Sequence, residues 1–286
     1  MLFREGIILF KKHLIVNERS PETLRGYMFE LENFIDFTEN QHNGPVYLDE
    51  IIVQDIEEYL HELKLKGSST SRRSRMVYIL RSFYNFAIRQ ELVGKNIAAL
   101  VDSVKVQQKE RNFLSDEEFQ ALVSVIANPT IKVLCYTLFM TGLRIKEALD
   151  LTLEDVDLAG KVIRIRHGKG NKSRKVPISD KLLPILKDYL GRIRPPSGSK
   201  HFFATKVSGR LSASMANKTL KEAVLELGWN KKVTCHVLRH SFASHLVRKN
   251  VNIVRVQKLL GHASLKTTSI YTHATLDELA EAVNTF

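Results

Sequence analysis

Apolar positions recur at helical spacing through the first third of the chain. After Ser20 and Pro21, residues Leu24, Tyr27, Met28, Leu31, Phe34 and Ile35 fall on one face of a 3.6-residue repeat. Ser20 suits an N-cap, and Pro21 suits the first helical position, where a backbone N–H has no partner to lose. Ile56, Tyr59, Leu60 and Leu63 mark a second helix, and Ile79, Leu80, Phe83 and Phe86 a third over about 70–90. Near residue 104 the periodicity fades into the polar run Gln107, Gln108, Lys109, Glu110 and Arg111, which reads as a linker. Ser115 with Glu118 three residues later forms a capping box that opens a new helix. Further helices are predicted at 129–141, 144–151, 180–192, 213–227, 235–249, 252–260 and 276–284. Strand-like alternation occurs only at 162–166 and 175–178, and Gly168, Lys169, Gly170 and Asn171 between them suit a hairpin turn. The expected fold is mainly α with a small β-sheet. A helical domain covers 1–104, a linker 105–112, and an α+β domain 113–286.

Charge changes the picture more than composition does. The 286 residues carry 43 Lys and Arg against 31 Asp and Glu, a formal charge of +12. Such a balance favours a polyanionic partner, nucleic acid first. A spanning helix needs roughly 20 apolar residues in a row. The best run, 133–140, is shorter and carries Tyr136 and Thr137. The apolar patch at 7–10 is closed by Lys11 and Lys12 and is too short for a signal-peptide core. Two cysteines, Cys135 and Cys235, provide neither a disulfide framework nor a four-thiolate zinc site. A cytoplasmic protein with no membrane partner is expected.

Five groups of residues could carry chemistry. On the third helix, Arg72, Arg73, Arg75, Arg81 and Arg89 lie on or near the faces opposite the apolar stripe. They suit either a solvated surface or contact with DNA phosphates, which position a protein without reading sequence. In Thr141-Gly142-Leu143-Arg144, Gly142 can end one helix while Arg144 begins the next. A cation there opposes the helix dipole, unless Arg144 and the helix N-terminus act on one anion. The hairpin carries seven basic residues from 161 to 175: Lys161, Arg164, Arg166, Lys169, Lys172, Arg174 and Lys175. A basic ribbon suits a DNA groove, and a solvated charge run is the competing account. His236 and Arg239 are three apart and share a helix face, while His240 and His245 fall elsewhere. Finally, Leu259-Leu260-Gly261-His262 has the form of a helix stop, and Tyr271 follows in a polar neighbourhood.

In this order, Arg144, a hairpin Lys169, His236-x-x-Arg239, Gly261-His262 and Tyr271 resemble the tyrosine recombinases, the integrase family of site-specific DNA recombinases. Thr-Gly-Leu-Arg at 141–144, Gly-Lys-Gly-Asn-Lys at 168–172, His-x-Leu-Arg-His-Ser-Phe-Ala at 236–243 and Leu-Leu-Gly-His at 259–262 look most like the Xer branch. The helical first third is similar to that family's core-binding, SAM-like domain. One departure is Lys146, where many relatives have Ser; Glu147 still follows it.

The resemblance implies a set of roles. Tyr271 would attack the scissile phosphate, forming a 3′-phosphotyrosyl link and releasing a 5′-hydroxyl. Lys169 would protonate that oxygen, His236 would assist proton transfer, and His262 would hydrogen-bond the phosphate. Arg144 and Arg239 would donate forked hydrogen bonds to its non-bridging oxygens. DNA contacts would come from Arg72, Arg73, Arg75, Lys172 and Arg174. No metal or cofactor is implied, because the covalent link conserves the bond energy. The expected partner is a double-stranded recombination site, with four protomers acting on two duplexes, alone or with a second recombinase. The apolar face of 276–284 would dock on a neighbouring protomer. The helical pattern begins almost at Met1, which leaves no arm-binding domain ahead of it and favours a simple recombinase. Three competing accounts remain: a zinc hydrolase using His236 and His240, a non-catalytic DNA-binding regulator, and a type IB topoisomerase. Val237 stands where the zinc-protease motif has Glu, and the regulator leaves the six-residue set unexplained.

Overall fold

A computed structural model describes residues 1–104, 112–166, 173–207 and 209–261. The chain divides into two compact units, Met1–Lys109 and Glu110–Phe286. The first contains four α-helices among its described residues: α1 (Phe3–Val16), α2 (Pro21–His42), α3 (Val53–Leu65) and α4 (Thr70–Arg89). The Ser20 hydroxyl accepts the Thr23 N–H at 3.2 Å, with Pro21 at the first helical position, so α2 starts where its cap signal lies. Ser69 caps α4 in the same way through the Arg72 N–H. The core is rich in aromatic rings. Phe3 packs on Phe34, Phe83 and Tyr84, and Phe10 on Phe83 and Phe86. The patch at 7–10 belongs to α1, which buries Phe3, Ile7, Phe10 and Leu14 at helical spacing and leaves Ile8 exposed.

The second unit is helical with one small sheet. Its elements run α5 (Asp116–Val125), α6 (Pro129–Thr141), α7 (Ile145–Asp150), β1 (Val156–Asp157), β2 (Val162–Ile165), β3 (Arg174–Pro177), α8 (Leu182–Asp188), α9 (Ala213–Glu226), α10 (Cys235–Arg248) and α11 (Ile253–Leu260). The capping box of α5 forms as the spacing predicts: Ser115 accepts the Glu118 N–H, and the Glu118 carboxylate accepts the Ser115 N–H. The sheet has three antiparallel strands in the order β1-β2-β3. Two residues of β1 are too few to show alternation, so only β2 and β3 were legible. Ile163, Ile165 and Val176 face the core, which leaves Arg164 and Lys175 outward. The helix predicted over 180–192 is shorter, and ends in a π-turn at Tyr189–Ile193. The helix expected at 276–284 lies outside the described residues, as do 105–111 of the linker.

α6 is the spine of this unit. Ile131, Leu134, Cys135, Leu138, Phe139 and the hydroxyl-bearing Thr137 and Thr141 are all buried. Both hydroxyls bond back to carbonyls one turn earlier, Thr137 to Val133 at 2.9 Å and Thr141 to Thr137 at 2.5 Å. α10 packs alongside, burying Cys235, Leu238, Arg239, Ser241 and Ala243. The Ser241 hydroxyl accepts the Leu114 N–H at 2.8 Å, and His245 bonds the Leu114 carbonyl at 2.9 Å, so the chain entering α5 is pinned to α10.

Gly142 ends α6 at φ 65°, a left-handed conformation that favours glycine. A Cβ there would meet Phe242 Cδ1 at 2.3 Å and Leu260 Cδ2 at 2.8 Å. Gly142→Ala is therefore expected to destabilise this unit by about 2 kcal/mol or more, from strain and overpacking together. Urea unfolding followed by fluorescence of Trp229, the sole tryptophan, which packs on the core of this unit, measures it. A loss of less than about 0.5 kcal/mol would contradict the steric account.

Candidate active site

The site grows from three helix ends. Arg144 is the N-cap residue of α7, and its own N–H donates to Glu147 Oε2 at 2.8 Å. Arg239 projects from the second turn of α10 into the interior, with 5% of its surface exposed. α11 ends at Gly261, which takes φ 63°. The last carbonyls of a helix carry partial negative charge and lack helical partners. Here guanidinium groups supply them. Arg174 Nε donates to the Leu259 carbonyl at 3.1 Å, Arg239 Nη2 to Leu260 at 2.7 Å, and Arg144 Nη2 to Gly261 at 3.1 Å. Arg239 Nη1 also donates to the Gly142 carbonyl at the end of α6, at 2.6 Å.

One carboxylate sits among these three cations. Glu147 Oε1 accepts from Arg144 Nη1 at 2.7 Å and from Arg174 Nη1 at 2.8 Å, and Oε2 accepts from Arg174 Nη2 at 2.8 Å. Arg239 Nη1 lies 3.9 Å from Oε2. Burial by itself would raise the Glu147 carboxyl. Hydrogen bonds from Arg174 and from the Arg144 N–H outweigh it, and the pKa falls to about 2. Glu147 is thus ionised at neutral pH, and the cluster holds two more positive charges than negative ones. A cluster of that sign is suited to a phosphate dianion or diester, with Arg144, the most exposed of the three, at its open edge.

Arg144 and Arg239 are therefore brought together. His236 lies in the first turn of α10, one turn before Arg239, with its side chain exposed. Lys169, Lys172, His262 and Tyr271 lie outside the described residues. Arg174, expected as a DNA contact, is instead turned inward to Glu147 and Leu259. The basic ribbon is also more neutral than its sequence suggests. Arg164 pairs with Asp157 at 2.9 Å, Arg166 with Asp155 at 2.6 Å and Glu154 at 3.2 Å, and Lys161 with Asp180 at 2.7 Å. The acidic partners lie outside the ribbon's own 161–175 span, so counting charge within that span could not show them.

The first unit repeats the theme on α4. Arg72 and Arg75 both bind the buried Glu30, at 3.1 and 3.0 Å, while their own side chains stay 36% and 55% exposed. The Arg73 Nε is buried and has no hydrogen-bond partner. Arg81 serves the fold, donating to the Ala98 and Val101 carbonyls. Both cysteines are buried free thiols, and burial pushes Cys235 up to about 12, so it is protonated at neutral pH. Among the described residues, no group of three or more His, Cys, Asp or Glu is arranged to hold a metal ion, and no helix is long and apolar enough to cross a membrane.

Sequence reasoning noted Glu147 without giving it a role. The available signal was its place three residues after Arg144, the N3 position at which a carboxylate caps a helix start.

Comparison with known proteins fits this geometry. The profile of the phage integrase family matches residues 112–278, and that of the phage integrase N-terminal SAM-like domain matches residues 7–91. Tyrosine recombinase XerD of Oceanobacillus iheyensis is 32% identical over 285 residues, covering 96% of this chain and 95% of that one. A tyrosine recombinase of Thermosipho africanus is 33% identical over 287 residues, covering 97% and 98%. A structure of the Tn1549 transposon integrase in complex with a circular intermediate DNA shares the fold, with a TM-score of 0.80 at 19% identity over 98% of this chain and 99% of that one. The chain belongs to the phage integrase family and is a Xer-like tyrosine recombinase, an enzyme of site-specific DNA cleavage and rejoining.

The depressed Glu147 pKa carries a stability consequence. A carboxyl lowered from 4.5 to about 2 stabilises the fold fully above pH 4.5, and that contribution disappears as pH falls toward 2. Glu147→Gln is expected to lose about 3 kcal/mol at pH 7, with the gap to wild type narrowing below pH 4.5. Urea midpoints read by Trp229 fluorescence across that range test this, and a gap independent of pH contradicts it.

Proposed function

We propose that Tyr271 is the nucleophile of a metal-free transesterification on DNA. Its phenolic oxygen attacks the scissile phosphorus, a phosphotyrosyl bond forms to the 3′ side, and the bond to the 5′-oxygen breaks. Lys169 gives that oxygen its proton, His236 assists proton transfer, and His262 hydrogen-bonds the phosphate. The observation that carries this reading is the convergence of Arg144 and Arg239 on one site, held by Glu147 and the end of α11. Two guanidiniums on the non-bridging oxygens stabilise the charge of the transition state, and removing one such donor costs roughly 10²–10³ in rate. A neutral tyrosine, with an ordinary pKa of about 10, is a poor nucleophile. A cationic site lowers that barrier.

Rejoining uses the same steps in reverse, with a 5′-hydroxyl from a second duplex attacking the phosphotyrosyl bond. Strands then exchange through a Holliday junction. The acting unit is a homotetramer on two duplexes, alone or with a second recombinase, and 276–284 docks between protomers. The first unit clasps the DNA, with Arg72, Arg73 and Arg75 toward phosphates and Lys172 contributing from the hairpin. The task is resolution of chromosome dimers or of plasmid or transposon cointegrates, carried out in the cytoplasm.

Covalent trapping tests the nucleophile. Cells expressing wild type or Tyr271→Phe are denatured rapidly, and protein-linked DNA is recovered and sequenced. Adducts at discrete sites with wild type alone are expected, and an adduct in Tyr271→Phe sinks the assignment. Lys169→Ala should cleave ordinary DNA at least ~10²-fold more slowly, yet approach wild type when sulfur replaces the leaving 5′-oxygen, because a thiolate leaves without a proton. Equal defects on both substrates would remove Lys169 from the general-acid role.

A further inference from the structure

Arg174 occupies a place that the reading above does not use. It opens β3, paired with Ile165 of β2. Its guanidinium then leaves the sheet and spans both oxygens of Glu147, while Nε holds the Leu259 carbonyl. The side chain is only 12% exposed. Gly261 is cut to fit it: an added Cβ would lie 2.8 Å from Arg174 Nη1. One side chain therefore joins three segments. These are the hairpin, the start of α7 through Glu147, and the end of α11, which runs directly into His262.

Arg174 and Arg144 bind Glu147 differently. Arg174 takes both carboxylate oxygens in the forked geometry that fixes the plane of the group. Arg144 takes Oε1 through Nη1 and the Gly261 carbonyl through Nη2, and its side chain is the more exposed. The direction of Arg144 thus follows from where Arg174 sets the carboxylate and the helix end.

We infer that Arg174 is a positioning residue for strand cleavage: it orients Arg144 through Glu147 and ties the hairpin to the end of α11, without touching DNA itself. This rests on the recombinase reading above. A misplacement near 1 Å in such a site costs about 10²-fold in rate. A lysine keeps the charge but cannot span two oxygens and a carbonyl.

The test uses the full-length protein and a nicked duplex carrying a site recovered by covalent trapping. One substrate has an ordinary scissile phosphodiester; the other has a methylphosphonate there, which is neutral and needs less help from guanidinium groups. Arg174→Ala is expected to bind the duplex within about threefold of wild type and to cleave the phosphodiester roughly 10–100-fold more slowly. Arg174→Lys should fall between. On the methylphosphonate the deficit should shrink to a few fold. A loss of folded protein lowers both substrates by one factor, so equal factors overturn the proposal. So does cleavage within twofold of wild type, or a defect confined to DNA affinity, which would make Arg174 a phosphate contact. Absence of any Tyr271-dependent adduct with wild type is a different result, and removes the recombinase reading itself.

Discussion

Three guanidinium groups cannot share one buried site without something to hold them together. At separations of a few ångströms their repulsion, in a medium less polar than water, exceeds what a small domain can absorb. The second unit answers with a single carboxylate and the carbonyl end of one helix. Glu147 meets Arg144, Arg174 and Arg239, and the Leu259, Leu260 and Gly261 carbonyls take one guanidinium each. The compensation is partial, and a net positive charge of the sign that suits a phosphate remains. A second carboxylate would neutralise more of the cluster and leave it less suited to an anion.

That arrangement dictates much of the surrounding fold. The carbonyls are available only because α6 and α11 stop abruptly, and both stop on a left-handed glycine. The helix ends are brought together because α6 packs along α10, so Arg239 reaches the Gly142 carbonyl and the end of α11 at once. Phe119 and Phe139, whose rings stack at 3.9 Å, hold α5 against the same spine. Leu114, just ahead of α5, is tied to Ser241 and His245, two and six residues beyond Arg239 on α10. The hydrophobic core thus sets the positions of charged groups that it does not itself include.

The first unit uses a related device for a different end. Glu30 is almost fully buried between α2 and α4 and binds Arg72 and Arg75. There the arginine side chains stay substantially exposed, whereas around Glu147 two of the three are nearly enclosed. A buried carboxylate left alone would be costly, so each such group fixes the side chains that neutralise it.

The helices were largely legible from local chemistry. Ser20 and Ser115 cap where their hydroxyls can reach a free N–H, and Gly142 and Gly261 stop where φ turns positive. These are interactions within four or five residues, which sequence spacing encodes directly. That Arg144 and Arg239 stand out as candidates was legible in the sequence by residue type and spacing, but their convergence around Glu147 was not. α1 was harder, since Ile7, Ile8, Leu9 and Phe10 are consecutive and hide the face that α1 buries. The two residues of β1 show no period at all. The partners of each cation were decided only by tertiary structure. In sequence Arg174 resembles its neighbours in a basic ribbon, and Arg72 and Arg75 suit either a solvated face or phosphate contacts, because charge counted along the chain omits partners 27, 42 and 45 residues away. Local sequence specifies which groups are present and how each helix begins and ends. Which cation is neutralised and which keeps an exposed edge of the cluster depends on long-range packing that places the few acidic groups.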